Sequence, residues 1–200
     1  MLLGQSLGTA VASAVALRFA DDKNGLLPPD SGHGAGASAT GRVEFAGVIL
    51  VATFTSLSKL LETYRIAGLI PILSPLRPYP YLQRLLVSCV ADTWETAARI
   101  AELVRVSKQN GRRLRLHLIH AVDDWDIRWR HSEELFYVAA NASSEDGVSR
   151  VELEGWRDRE GTRGRVETWG FGEGGEVLLQ ILKFGGEYQY FYHRPSLDYR

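Results

Sequence analysis

Apolar and polar positions along the chain alternate between two periods. Gly8, Ala12, Ala16 and Ala20 recur every four residues beside a second ridge of Val11, Val15 and Phe19. That spacing predicts a helix whose small-residue face can lie close on a sheet. Three continuous apolar runs predict strands: "VEFAGVILVATF" over 43–54, "LRLHLIHAV" over 114–122 and "EVLLQILKFGG" over 176–186. The first is unbroken and rich in β-branched residues, which reads as a strand covered on both faces of a parallel sheet. Helical patterns lie between the strands: Ser56 to Tyr64, Asp92 to Ser107, and a segment carrying Trp129, Leu135, Phe136 and Val138 that ends near Asn141. Asp92-Thr93-Trp94-Glu95 has the capping-box spacing, an N-cap residue followed three positions later by glutamate. Strands alternating with helices predict an α/β fold, a mostly parallel sheet flanked by helices, with its chemistry at the carboxyl ends of the strands.

Four stretches break this pattern. Residues 21–42 are rich in Gly, Ser, Pro and Ala and read as a flexible surface loop. Within it, Gly32-His33-Gly34-Ala35-Gly36 follows no strand and opens no helix, so it does not read as a dinucleotide loop, and no cofactor is expected. Residues 66–91 mix aliphatics and tyrosines with prolines, a composition suited to a cap-like insertion over an apolar site or to ordinary irregular packing. Residues 143–175 form a polar, glycine-rich excursion in which "RVELEGW" and "RVETWGF" could pair as a hairpin. Residues 187–200 are an aromatic, polar tail with no predicted element.

Composition narrows the function classes. Two hundred residues, 45% of them apolar, suffice for one domain with a core. A net charge of -1 gives no electrostatic reason for nucleic acid as a partner, and Arg112-Arg113-Leu114-Arg115 reads as solvated strand entry. The single cysteine, Cys89, excludes an internal disulfide and suits a reducing compartment. No secretory signal is read at the N-terminus, and four prolines and two arginines interrupt 66–91 too often for a membrane span.

Candidate chemistry begins at Gly4-Gln5-Ser6-Leu7-Gly8, a G-x-S-x-G pattern placed between Met1-Leu2-Leu3 and the small-faced helix. The pattern requires a serine on a tight strand-to-helix turn, with small neighbours around a strained backbone. A serine hydroxyl needs a base and an acid, here in the order Ser, Asp, His. Asp124 lies at the end of the strand over 114–122, where the acid belongs. Asp123 and Asp126 are the competing carboxylates, and together with Asp124 and His120 they could also be read as oxygen-rich metal ligands. Adjacent residues at a strand end point apart, which disfavours the metal. His117 and His120 read as structural.

These stretches resemble an α/β-hydrolase-fold serine hydrolase of the monoacylglycerol and lysophospholipid lipase-like group. The resemblance runs from Leu2 to about Gly186 and rests on "LLGQSLGTAV", "GVILVATFTSL" and "LHLIHAVDDWDI". It implies Ser6 as nucleophile, Asp124 as triad acid and the Leu7 backbone N–H as one oxyanion donor. It places the histidine just past the last strand, where "KFGGEYQYFYHRP" has Glu187 instead, and His193 is the only histidine of the tail. Against the family pattern the chain starts at the elbow, so the resemblance implies a partial, truncated α/β-hydrolase domain over 1–200. The earlier strands, the second oxyanion donor and any membrane anchor of a longer parent would precede Met1. The expected activity is hydrolysis of carboxylic esters, plausibly of lipids, through an acyl-Ser6 intermediate. The alternatives are a non-catalytic hydrolase fragment or pseudo-hydrolase acting as a binding module, and an interaction protein that self-associates or pairs through an exposed sheet edge.

Overall fold

In the computed structural model, residues 1–21, 45–63, 65–66, 70–71, 78–79, 81, 93–155, 157–158, 164–172 and 174–185 are described. The expected loop at 21–42 lies outside them apart from Asp21, as does most of the cap-like stretch at 66–91 and all of the tail at 187–200. Strand β1 (Leu2–Gln5) leads directly into helix α1 (Leu7–Ala20). Then come β2 (Val48–Val51), α2 (Leu57–Thr63), and the two-residue strands β3 (Arg65–Ile66) and β4 (Ile70–Pro71). Helix α3 (Thr96–Gln109) precedes β5 (Arg115–Ala121), which is followed by α4 (Arg130–Ser143) and α5 (Arg150–Gly155). Strands β6 (Arg157–Asp158), β7 (Gly164–Phe171) and β8 (Gly175–Leu182) complete the order.

The main sheet runs β1-β2-β5-β8-β7-β6. The first four strands are parallel, while β7 runs antiparallel to β8 and β6 antiparallel to β7. One row of the register joins Gly4, Leu50, Leu118 and Leu179 across the four parallel strands. With Val48, Leu116 and Val177 this row faces Ala12 and Ala16 of α1, Ile100, Leu103 and Val104 of α3, and Leu135, Phe136 and Ala139 of α4 in one core cluster. Leu50, Leu118 and Leu179 are fully buried. The period of two places Leu3, Ile49, His117 and Leu178 on the other face, where Leu3 is exposed and the others half-buried. Strand β2 is therefore not buried on both faces, as its apolar run suggested; Val48 and Leu50 are buried, Ile49 and Val51 only partly.

Other local readings are also corrected. Among the described residues of the 43–54 run, four form the strand, and it ends where Ala52 turns to φ 52°. On α1 the second buried ridge is Thr9, Ala10 and Ser13, while Val11 is exposed. Helix α3 starts later than the capping-box spacing suggested: Glu95 is its N-cap and makes no side-chain cap bond, and Asp92 lies outside the described residues. The stretch "RVELEG" is the helix α5 and not half of a hairpin. Its supposed partner, β7, belongs to the main sheet, so this part of the 143–175 segment is sheet rather than an excursion from the core. Arg165 of β7 ties this end of the sheet to α4, lying 2.7 Å from an oxygen of Glu133 and 2.7 Å from one of Glu167.

Candidate active site at the carboxyl ends of the parallel strands

Ser6 occupies the single residue between β1 and α1, with φ 50° and ψ -123°. A non-glycine residue there carries backbone strain of order 1–3 kcal/mol. Both flanks hold it in place. Its N–H continues the β1–β2 ladder to the Val51 carbonyl at 2.9 Å. Its carbonyl accepts the Thr9 N–H at 3.0 Å and the Thr9 hydroxyl at 2.6 Å. Gly4 makes the turn feasible, since a Cβ there would stand 2.6 Å from the Gly8 carbonyl oxygen and 2.8 Å from Ala12 Cβ. Gly8 has no such constraint, as a Cβ there would meet open space. The expectation that both glycines are needed to fit the elbow is corrected to Gly4 alone. The Leu7 N–H heads α1 and takes no hydrogen-bond partner among the described residues, as the first amides of a helix generally do not within the helix.

The turn after β2 is strained in the same way. Ala52 has φ 52° and donates its N–H to the Ile119 carbonyl of β5 at 2.9 Å. The chain then buries Thr53, Phe54, Thr55 and Ser56, and Phe54 joins Ala10, Leu60 and Ile127 in a small second core below the strand ends.

At the end of β5, Asp124 Oδ1 accepts the N–H groups of Asp126 at 3.1 Å and Ile127 at 2.9 Å. Its Oδ2 lies 3.4 Å from His120 Nε2, and the carboxylate is largely enclosed. Asp123 turns the other way, and its Oδ2 accepts the Gly185 N–H at 3.2 Å beyond β8. The two neighbouring carboxylates thus have separate jobs inside the turn. Among the described residues, no group of three His, Cys, Asp or Glu side chains is placed to hold a metal ion.

His120 sits in the middle of a buried hydrogen-bond chain. Its Nε2 donates to the Ile127 carbonyl at 2.8 Å, because a carbonyl can only accept. Its Nδ1 meets Ser132 Oγ at 2.6 Å, and Ser132 Oγ in turn meets Thr53 Oγ1 at 2.6 Å. The chain couples the turn after β2, the end of β5 and the start of α4, three pieces that frame one end of the sheet. His131 lies beside it, with Nδ1 3.2 Å from Thr55 Oγ1. His117 lies within β5, against Gln180 of β8 at 3.2 Å. Burial lowers its pKa, an effect partly offset by that hydrogen bond and by the charge of Glu176.

Thr53, Thr55, His131 and Ser132 escaped the reading of the sequence. For the last two a signal was present: they sit at helical spacing with Leu135, Phe136, Ala139 and Ala140, so the stripe that buries α4 also points His131 and Ser132 inward.

Burial lowers the pKa of His131 from 6.5 to about 4, against an upward pull from Glu134. The native state therefore keeps this ring neutral where an unfolded chain would bind a proton. Stability from this group is full above pH 6.5 and drains away as pH falls toward 4, by on the order of 3 kcal/mol in all. Urea unfolding at pH 7.5 and at pH 4.5 should show a drop of about 2–3 kcal/mol attributable to it. His131→Gln should lose that part of the drop. An equal drop in the variant would mean that other groups carry the acid sensitivity.

Ser6 follows β1 and Asp124 follows β5 at the same end of the sheet, and the two strands are separated only by β2, hence roughly 10 Å apart at two strand spacings. Neither His193 nor Glu187 is among the described residues. The three described histidines are engaged elsewhere: His120 and His131 are buried in their own contacts, and His117 lies within a strand. Comparison with family models, with curated proteins and with solved structures returns no match.

Proposed function

We propose that the chain is built as a serine hydrolase of carboxylic esters, in the manner of the α/β-hydrolase fold, with lipid esters as the substrate class. The observation that carries this reading is Ser6, a serine held at φ 50° and ψ -123° on a strand-to-helix turn at the carboxyl end of a parallel strand. A fold tolerates such strain where it presents the hydroxyl outward. In this reading Ser6 attacks the ester carbonyl, and the Leu7 N–H, at the positive end of α1, faces the oxygen on which charge develops. Asp124, held by two backbone amides, orients and stabilises the imidazole that takes the Ser6 proton. His193 is the candidate for that imidazole.

The described histidines favour a second reading, a non-catalytic binding module, because each is engaged elsewhere: His120 with Ile127 and Ser132, His131 with Thr55, and His117 with Gln180. Intact-mass detection of a fluorophosphonate adduct separates the two. The hydrolase reading expects one adduct on the wild type and none on Ser6→Ala. A folded wild type that stays unmodified would leave the binding module as the better account.

A further inference from the structure

The ends of β5 and β8 carry apolar side chains that the rest of the described chain leaves in solvent. Val122 is 50% exposed, Trp125 62% and Phe184 70%. They belong to one rim. The Val122 N–H donates to the Leu182 carbonyl at 2.8 Å, and the Gly185 N–H to Asp123 Oδ2 at 3.2 Å, so the turn after β5 and the residues after β8 are tied together. Val122 and Trp125 also border a shallow depression of about 280 Å³ shared with Arg128 and Arg130.

The charge of this rim is opposite to that of the whole chain. Arg128, Arg130 and Lys183 are exposed, and none of them is held in an ion pair among the described residues. Of the nearby carboxylates, Asp123 and Asp124 accept backbone amides, Asp126 is half-buried, and Glu133 and Glu134, which share a cavity with Arg130, are paired with Arg165 and Lys59. What faces outward is three cations around two aromatic rings and a valine, on a chain whose net charge is -1.

We propose that this rim docks on an anionic lipid bilayer. Aromatic rings with flanking cations suit the boundary between headgroups and acyl chains, where rings bury their apolar body and cations meet lipid phosphate and carboxylate. Trp125 and Phe184 stand beside chain turns at strand ends. A protein partner would need pockets matched to both, while a fluid bilayer admits them wherever they fall. The docking needs no turnover and stands apart from the hydrolase reading, although it would set Ser6 at a lipid surface if both hold.

Vesicle co-sedimentation with the full chain tests it. Binding is expected to vesicles of phosphatidylcholine containing phosphatidylserine, to be weak on phosphatidylcholine alone, and to fall as salt rises. Arg128→Ala and Lys183→Ala should each weaken it about fivefold. Trp125→Ser combined with Phe184→Ser should weaken it by about tenfold or more, with an unchanged thermal midpoint, since both side chains are already solvated. No binding, equal binding to both vesicle types, or binding unaffected by these variants would each overturn the proposal. So would adsorption to polyglutamate as strong as to the anionic vesicles, which would assign the rim to acidic protein instead. Because no ester is cleaved in this assay, an unlabelled Ser6 leaves its outcome readable.

Discussion

Phosphonylation of Ser6 by a fluorophosphonate is expected to slow by roughly 10³- to 10⁴-fold in Asp124→Asn, under the proposed chemistry. Asparagine keeps the Oδ1 acceptor used by the Asp126 and Ile127 amides, so the turn after β5 should persist. His120 should keep its place as well, since its Nε2 proton goes to the Ile127 carbonyl. What is lost is the negative charge that would fix the tautomer of the base and stabilise its cation. The measurement is the time course of adduct mass for wild type and variant, with matching circular dichroism spectra as the fold control. Labelling at the wild-type rate would remove Asp124 from the triad, whatever the status of Ser6.

The second large effect concerns the backbone under Ser6. Gly4→Ala should destabilise the fold by about 3 kcal/mol. The new Cβ would be 2.6 Å from the Gly8 oxygen, 2.9 Å from the Gly8 carbonyl carbon and 2.8 Å from Ala12 Cβ, all atoms that no side-chain rotation can move away. Relief requires lifting α1 off the sheet. Gly8→Ala is expected to have the opposite sign, a gain of about 0.5–1 kcal/mol, because it adds a helix-favouring residue in open space. Urea midpoints of the two variants would read both predictions at once. Equal harm from Gly8→Ala and Gly4→Ala would show that the close approach of β1 and α1 at Gly4 does not set the difference between them.

The contrast between these two glycines shows where the sequence was legible. The small-residue stripe of α1 announced that a helix would lie close on a sheet, and Ala12, Ala16 and Ala20 do so. Which glycine the approach required depended on the angle between β1 and α1, and a linear pattern does not carry that angle. The parallel strands were readable from their apolar runs, though β2 stops where Ala52 adopts a backbone conformation that alanine does not advertise. "RVELEG" was misread because its alternation fits a strand as well as a short amphipathic helix, and tertiary contacts decided between them: Leu153 packs into the main core. The spacing of Ser6 and Asp124 from their strands placed both at the carboxyl ends of parallel strands, and the structure has them there. The buried chain of Thr53, Ser132 and His120 joins residues 79 and 12 positions apart, a coincidence that only the folded register creates.

That register also orders the assembly of the molecule. The hairpin of β7 and β8 closes across a turn at Gly172 and Gly174, whereas β1 must wait for Val48 to Val51, and those strands in turn for Leu116. Loop closure favours the short circuit first. Strand β1 is therefore expected to be among the last of these strands to find its place, and Ser6 to acquire its strained geometry only when nearly everything else in the sheet has been built.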